Sequence, residues 1–191
     1  MSADYKQLTA FQNKIEKLNE EQKEEFLQEC CKELAARLLA KVIKRTPVGK
    51  KPEVKEKTVK VTGESGKTKL MLTAEGAMLE QYWSGYVGGT LRRGWTGGKK
   101  LSAKEYANSL SVKKVGDKYI IDITNPIEYA SYVEYGHRQT PGKYVPSIGK
   151  RLKKGWVDGH HMLSLSETEL NNSSDAILRA KISKFMKDVF E

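Results

Sequence analysis

The N-terminal quarter of the chain carries one long run of apolar residues at helical spacing. Its members recur every three or four residues: Phe26, Leu27, Cys30, Leu34, Leu38, Val42 and Ile43. This spacing places them on one face, so it predicts a long helix with a buried side on which the cysteines pack. Asn19, three residues before Gln22, suits the start of this helix. Thr46 suits its end, because Pro47 disfavours helical geometry in the residue before it.

Two further stretches show the same periodicity. Leu8, Phe11, Ile15 and Leu18 predict a shorter helix near residues 4–18. From Met162 onward the pattern predicts a C-terminal helix. It does not decide whether this helix is interrupted at residues 171–174. Its apolar stripe consists of Leu163, Leu170, Ile177, Leu178, Ile182, Phe185, Met186 and Val189.

The middle of the chain shows the alternation that is typical of β-hairpins. Residues 50–61 and 67–73 flank the glycine-containing turn at residues 63–66 and predict a first hairpin. Residues 109–115 and 118–124 flank Gly116-Asp117 and predict a second. The apolar faces of the first hairpin are thin, so we expect it to pack on a neighbour or to project as an arm.

The other segments predict loops and one short helix. Residues 85–98 are rich in glycine and predict a loop that leads into a strand rather than a helix. Pro126 suits the first position of a short helix near residues 126–135, which ends at Gly136. Residues 139–155 predict a loop. The elements together predict an α+β fold: N-terminal helices, an antiparallel sheet built from hairpins, and a short helix and a C-terminal helix packed on the sheet.

Chain length and signal patterns limit the class of protein. A chain of 191 residues has enough surface to bury for one well-developed core, so we expect one domain over residues 1–191. No apolar stretch approaches the ~20 residues of a membrane span. Residues 1–10 lack the pattern of a secretory signal, so we expect synthesis in a reducing cytoplasm. Adjacent Cys30 and Cys31 would strain a mutual disulfide and lack the spacing of a zinc module.

Positive charge is concentrated in the middle of the chain. The net charge is +10, and residues 47–100 hold 11 basic and 5 acidic residues. Such a segment can contact phosphates, contact an acidic protein surface, or form a solvated face. An alternative function is therefore a basic nucleic-acid-binding protein that uses the lysine-rich middle segment.

Catalytic motifs are weak. Residues 85–90 lack the lysine of a phosphate-binding loop. His137, His160 and His161, with Asp158, suggest a metal-dependent nuclease as a third function, but their spacing favours loop histidines that bond backbone groups. We expect no enzyme activity, no metal and no cofactor.

Four strings in chain order resemble a known family: residues 46–48 (TPV), 89–95 (GTLRRGW), 125–138 (NPIEYASYVEYGHR) and 156–163 (WVDGHHML). They are similar to the phage tail-component family named for the tenth gene product of a lambdoid coliphage. The resemblance implies a structural neck or tail-completion protein of the virion, made in the host bacterial cytoplasm. It also implies a ring, as a hexamer, at the head-proximal end of the tail.

The resemblance further implies particular partners and contact residues. The partners are other copies of the chain, adjacent neck and tail proteins (connector or stopper, tail terminator or tube), and genomic DNA in the lumen; no membrane is involved. The expected interface residues are Arg92, Arg93, Trp95, Tyr132, Tyr135, His137 and Arg138. Each has the alternative role of holding its own loop in place.

Two basic segments depart from the family pattern. Residues 50–87 form an insertion that contains the first hairpin, and residues 139–154 lengthen a loop. We expect both to reach neighbouring subunits, an adjacent ring or DNA. The basic residues that would make these contacts are Lys50, Lys51, Lys55, Lys57, Lys60, Lys67, Lys69, Lys150, Arg151, Lys153 and Lys154.

Overall fold

The fold is α+β, as predicted. It is seen in a computed structural model that describes residues 20–52, 58–63 and 66–190. The predicted helix at 4–18 and the predicted cap at Asn19 lie outside these residues. The helices are α1 (Glu20–Arg45), α2 (Ala74–Tyr82), α3 (Thr90–Gly94), α4 (Ala103–Ser109), α5 (Ala130–Tyr135) and α6 (Met162–Phe190). The strands are β1 (Thr58–Thr62), β2 (Thr68–Leu72), β3 (Lys113–Val115), β4 (Lys118–Ile120), β5 (Gly136–Arg138), β6 (Tyr144–Val145), β7 (Lys150–Arg151) and β8 (Trp156–Asp158).

The chain divides into two compact units, each made of separate segments. Unit 1 comprises residues 1–45, 95–125 and 162–191, and unit 2 comprises residues 46–94 and 126–161. The single domain over residues 1–191 stays a prediction. In the described part of the chain, no helix combines the length and the apolar character that crossing a membrane requires.

Unit 1 is built around α1, which packs against α4 and α6. The predicted long helix is confirmed, and it buries Cys30, Ala35, Leu39 and Val42. Both cysteines are free thiols, and burial raises the pKa of each.

The C-terminal helix α6 is continuous through residues 171–174. It packs against α1 instead of covering a sheet: Phe26 stacks on Phe185 with 4.3 Å between ring centroids, and Lys41 donates to Glu169 at 2.9 Å. The hairpin β3–β4 of this unit has three residues per strand, too few to offer a helix of this length a face.

The described strands form four separate two-stranded ribbons rather than one sheet: β1–β2, β3–β4, β5–β8 and β6–β7. Both predicted hairpins are present, and β3–β4 is shorter than expected. The ribbon β6–β7 lies within the segment that was expected to be a loop. Strands of two to five residues with mixed polar and apolar faces offer little surface on which a further ribbon can pack.

Several short helices differ from the sequence prediction. The prediction that residues 85–98 contain no helix is wrong, because α3 forms at Thr90–Gly94. Helix α5 begins at Ala130 instead of Pro126. Helices α2 and α4 were not predicted, although each has a local signal: Thr73 accepts from the Gly76 N–H, and Ser102 forms a capping box with Glu105.

Candidate functional site

The four strings that carry the family resemblance contribute residues to one cleft in unit 2. Its cavity volume is about 400 Å³. Aromatic and aliphatic side chains dominate the lining, with two histidines and one aspartate. The lining residues are Pro47, Val48, Gly49, Tyr86, Gly89, Thr90, Leu91, Tyr129, Tyr132, Val133, His137, Val157, Asp158 and His160.

Arg92 and Arg93 hold backbone within unit 2. The Arg92 guanidinium donates through Nε and Nη2 to the Thr46 carbonyl oxygen, at 3.1 and 2.6 Å. Thr46 is fully buried, so this fork fixes the segment that follows α1 to helix α3. The exposed Arg93 donates through Nη1 to the Gly88 carbonyl oxygen at 2.9 Å. Both arginines therefore make the contacts within one subunit that their alternative role, holding backbone segments in place, requires.

Trp95 is the predicted interface residue that is least accessible. Its side chain is only 4% exposed. A side chain this deeply buried contributes to packing within the chain, so the contact surface proposed below does not include it.

Helix α5 ends in a tightly packed glycine arrangement. Gly136 has φ +85°, and a Cβ at this position would collide with the Val157 carbonyl oxygen. A Cβ at Gly159 would collide with the Glu134 carbonyl oxygen. Only glycine satisfies both the positive φ and the close approach at Gly136.

Backbone amides of the fourth string complete the end of α5. The His160 N–H donates to the Val133 oxygen at 2.8 Å, and the His161 N–H donates to the Glu134 oxygen at 3.0 Å. Strand β5 then pairs antiparallel with β8, with His137 opposite Val157. The third and fourth strings therefore fit each other through backbone contacts, which explains the spacing of their glycines.

The tyrosines of this region lie on the surface. Tyr129, Tyr132 and Tyr135 are 44%, 59% and 64% exposed. Arg138 is also exposed at the end of β5. Large aromatic side chains with this exposure are typical of protein contact surfaces.

His137 is half-buried, and its ring centroid lies 5.9 Å from that of Tyr132. Its Nδ1 is buried without a hydrogen-bond partner in the described part of the chain. Within the described ranges, no group of three or more His, Cys, Asp or Glu side chains is arranged to hold a metal ion. The metal-dependent nuclease therefore gains no support from the geometry.

Comparison with known proteins gives one family. A family model described as "Bacteriophage HK97-gp10, putative tail-component" matches residues 9–136, more than half of the chain. The chain belongs to this phage tail-component family. The resemblance predicted from the four strings is confirmed. No curated protein and no solved structure matches the chain.

Membership of the tail-component family gives the chain a structural role in the phage tail, and with it a place in the virion. The matched range ends at Gly136, the glycine that closes α5. It includes the first two strings, residues 125–136 of the third, and the whole insertion at residues 50–87.

The basic residues expected to make contacts in this family member are mostly at the surface. Lys55 and Lys57 lie outside the described residues, and Lys51, Lys150 and Arg151 have interaction partners. Lys51 pairs with Glu80 at 2.6 Å, and Arg151 donates to the Gly142 oxygen at 2.7 Å. The others are exposed: Lys50, Lys60, Lys67, Lys69, Lys153 and Lys154.

The surface of the insertion is more apolar than the sequence pattern predicts. Leu70 and Val87 are 69% and 72% exposed, and Met78 and Tyr82 are 64% and 66% exposed. The strand register explains this exposure, because Lys60 and Leu70 occupy one face of the hairpin while Val59 and Met71 occupy the other. Apolar residues on both faces of a two-stranded ribbon cannot all be buried by one neighbour within the chain.

Proposed function

We propose that this protein is a structural component of the phage neck. Copies of it form a closed ring at the head-proximal end of the tail and take part in tail completion and head–tail joining. The family supplies the structural role in the tail. The observation that carries the finer proposal is the exposed tyrosine surface on α5, made of Tyr129, Tyr132 and Tyr135.

The tyrosine surface suits repeated contact between identical subunits. Tyr129 and Tyr132 also line the cleft, and Arg138 is exposed at the end of β5. Contact of this region with a different surface of the next subunit is a head-to-tail contact, which closes into a ring when the rotation per subunit matches. Sixfold symmetry comes from the resemblance and is part of this proposal.

The neighbours in this proposal are the adjacent neck and tail proteins: a connector or stopper on one side, and a tail terminator or tube on the other. Genomic DNA passes through the lumen. The contact residues that we retain are Arg93, Tyr132, Tyr135, His137 and Arg138. The role needs no catalytic group and no cofactor, because the work of such a ring is to hold other proteins in place.

The double substitution Tyr132→Ser with Tyr135→Ser tests this proposal. Both side chains are exposed, so we expect the variant to fold while its incorporation into particles falls at least about tenfold, the loss of about 1.4 kcal/mol of contact energy. The measurement is quantitative immunoblotting of purified particles. Tyr144→Ser is the matched control, because Tyr144 is 40% exposed in the same unit but lies on β6. Incorporation of the double variant at the wild-type level would refute the proposed surface.

A second candidate function is binding of nucleic acid by the lysine-rich middle segment. The exposed Lys60, Lys67 and Lys69 on one ribbon favour it. If it is correct, the logarithm of the affinity for duplex DNA falls with the logarithm of salt concentration, with a slope of about −0.9 for each phosphate neutralised. Fluorescence anisotropy with labelled duplex DNA measures this slope, and an affinity independent of salt rules the candidate out.

A further inference from the structure

We propose that the basic hairpin, residues 58–72, docks on the acidic row of a second copy of this chain. The acidic row is the set Glu21, Glu25 and Glu29 on α1. This inference rests on the proposed self-assembly and names the partner surface of the insertion, which the family match does not specify.

The basic hairpin lacks cover in the described part of the chain. All five residues of β2 are exposed, and in β1 only Thr58 is half-buried. Met71 and Val59 face each other across the register and are 54% and 47% exposed. A two-stranded ribbon of this kind is marginally stable by itself in water, so a partner that covers one face stabilises it.

Charge decides the class of partner. Residues 58–72 contain three lysines, Lys60, Lys67 and Lys69, and one acidic residue, Glu64, so the basic hairpin carries a net charge of +2. Pairing of two such hairpins would place like charges together, which is unfavourable. An acidic partner removes this repulsion. Nucleic acid would satisfy the lysines, but it would leave the exposed Val59, Val61 and Met71 without apolar contacts, and proteins bind single strands with aromatic side chains that this face lacks.

The chain itself carries a matching acidic surface. Residues 20–33 contain six glutamates and two lysines. Glu21, Glu25 and Glu29 are exposed at four-residue spacing, so they form a row along one side of α1. Glu29 pairs with Lys181 at 3.2 Å, whereas Glu21 and Glu25 form no ion pair with the described residues.

The spacing of the two surfaces also agrees. Lys69 lies on β2 and Lys67 directly precedes this strand, so the two residues are about 7 Å apart if the extended rise of ~3.4 Å per residue holds. Glu21 and Glu25 are four residues apart on a helix, about 6 Å at ~1.5 Å per residue. Lys69 lies opposite Val61 in the register, so this lysine shares a face with Val61 and Met71. Helical spacing places Gln28 on the same side of α1 as the acidic row, where its methylene groups can contact those apolar side chains.

A charge exchange in the full-length protein tests the pairing. The variants are Lys67→Glu with Lys69→Glu, Glu21→Lys with Glu25→Lys, and the quadruple combination. We expect each double variant to weaken self-association about tenfold or more, and the quadruple variant to recover to within about threefold of wild type, since it restores opposite charges. Analytical ultracentrifugation over a concentration series and incorporation into particles are the two readouts. Lys118→Glu with Lys143→Glu is the matched control, because it reverses the charge of two exposed lysines that lie outside the basic hairpin.

Each other outcome overturns the inference. If the quadruple variant stays as weak as the double variants, the two surfaces do not pair. If only the lysine variant loses incorporation, another virion protein covers the hairpin. If the lysine variant loses affinity for duplex DNA and keeps its self-association, the hairpin binds nucleic acid. In these cases the tyrosine variant still tests the proposed ring separately, because its residues lie outside both charged surfaces.

Discussion

Different interactions stabilise the interior of unit 1 and the interior of unit 2 in this tail component. The core of unit 1 consists of apolar side chains from three helices and the segments next to them. Unit 2 buries Leu79 and Leu91, and in it side chains also donate hydrogen bonds to backbone that is distant in sequence. Trp83 Nε1 donates to the Ser147 oxygen at 2.6 Å, and Arg92 donates to the Thr46 oxygen. The buried apolar residues of unit 1 are Cys30, Ala35, Leu39, Val42, Trp95, Ala107, Met162 and Leu170.

Stability and exposed contact surface therefore reside in different units. Burial of apolar side chains is the main source of folding free energy, so unit 1 has the larger share of it. Unit 2 leaves many of its apolar side chains at the surface, including Leu70, Met78 and Tyr135. Exposed apolar surface on this scale marks contact with other molecules. The proposed ring and the proposed docking of the hairpin both use residues of unit 2 in this way.

The largest effect on the free energy of unfolding is expected at Leu39. Its side chain is fully buried in α1, so we expect Leu39→Ala to lower the free energy of unfolding by about 2–5 kcal/mol. Leu70→Ala in β2 removes the same atoms from a side chain that is 69% exposed, and we expect a change within about 0.5 kcal/mol. Urea denaturation measures both. Similar losses for the two variants would contradict the contrast between the units.

A smaller effect is expected at the glycine that closes α5. Gly136 and Gly142 have φ +85° and +83°, but the Cβ of an alanine meets backbone only at Gly136. Each alanine substitution introduces a backbone strain of about 1–3 kcal/mol. Gly136→Ala also causes a collision with the Val157 carbonyl oxygen. We expect Gly136→Ala to destabilise clearly more than Gly142→Ala in thermal denaturation. Equal melting temperatures would show that close backbone packing does not stabilise unit 2.

The smallest effect is expected at Glu169 in unit 1. Hydrogen bonds from Arg45 and Lys41 lower the pKa of Glu169 to about 2. Because the folded-state pKa is lowered, the stabilisation is present above about pH 4.5 and is lost as the pH falls toward 2. We expect the melting temperature of Glu169→Gln to be slightly lower than that of wild type at pH 7 and equal to it near pH 2. The effect is small because the carboxylate is 46% exposed.

Glu167→Gln is the control for this pH dependence, since Glu167 is exposed on the same helix and forms no ion pair with the described residues. A difference between Glu169→Gln and wild type that stays constant from pH 7 to pH 2 would contradict the role given to the ion pairs.

Apolar periodicity over many helical turns made the long helices of unit 1 predictable from the sequence. The spacing of Cys30, Leu38 and Val42 predicts α1, and the apolar stripe after Met162 predicts α6. The partner of α6 was not predictable, because an apolar stripe does not say whether it faces a sheet or a helix. Helix α3 was missed because a five-residue helix that follows Gly89 and ends at Gly94 is too short to show a periodic signal.

The candidate site was predicted through its residues rather than its geometry. The strings around Arg92 and Tyr132 were identified, but their meeting in one cleft depends on tertiary contacts that no local pattern encodes. The arginine fork onto the Thr46 carbonyl and the burial of Trp95 are likewise products of packing. The exposure of Leu70 and Met71 required the strand register, which sets the face on which each side chain lies.

Locating the chain in intact particles tests the central claim most directly. Cryo-electron microscopy of purified particles, with and without a label fused to the C-terminus, reports the position and number of copies together. We expect a closed ring of copies at the junction of head and tail, with the tyrosine surface of α5 at the contact between neighbours. Density at the distal tip of the tail, or a single copy at any level, would contradict it.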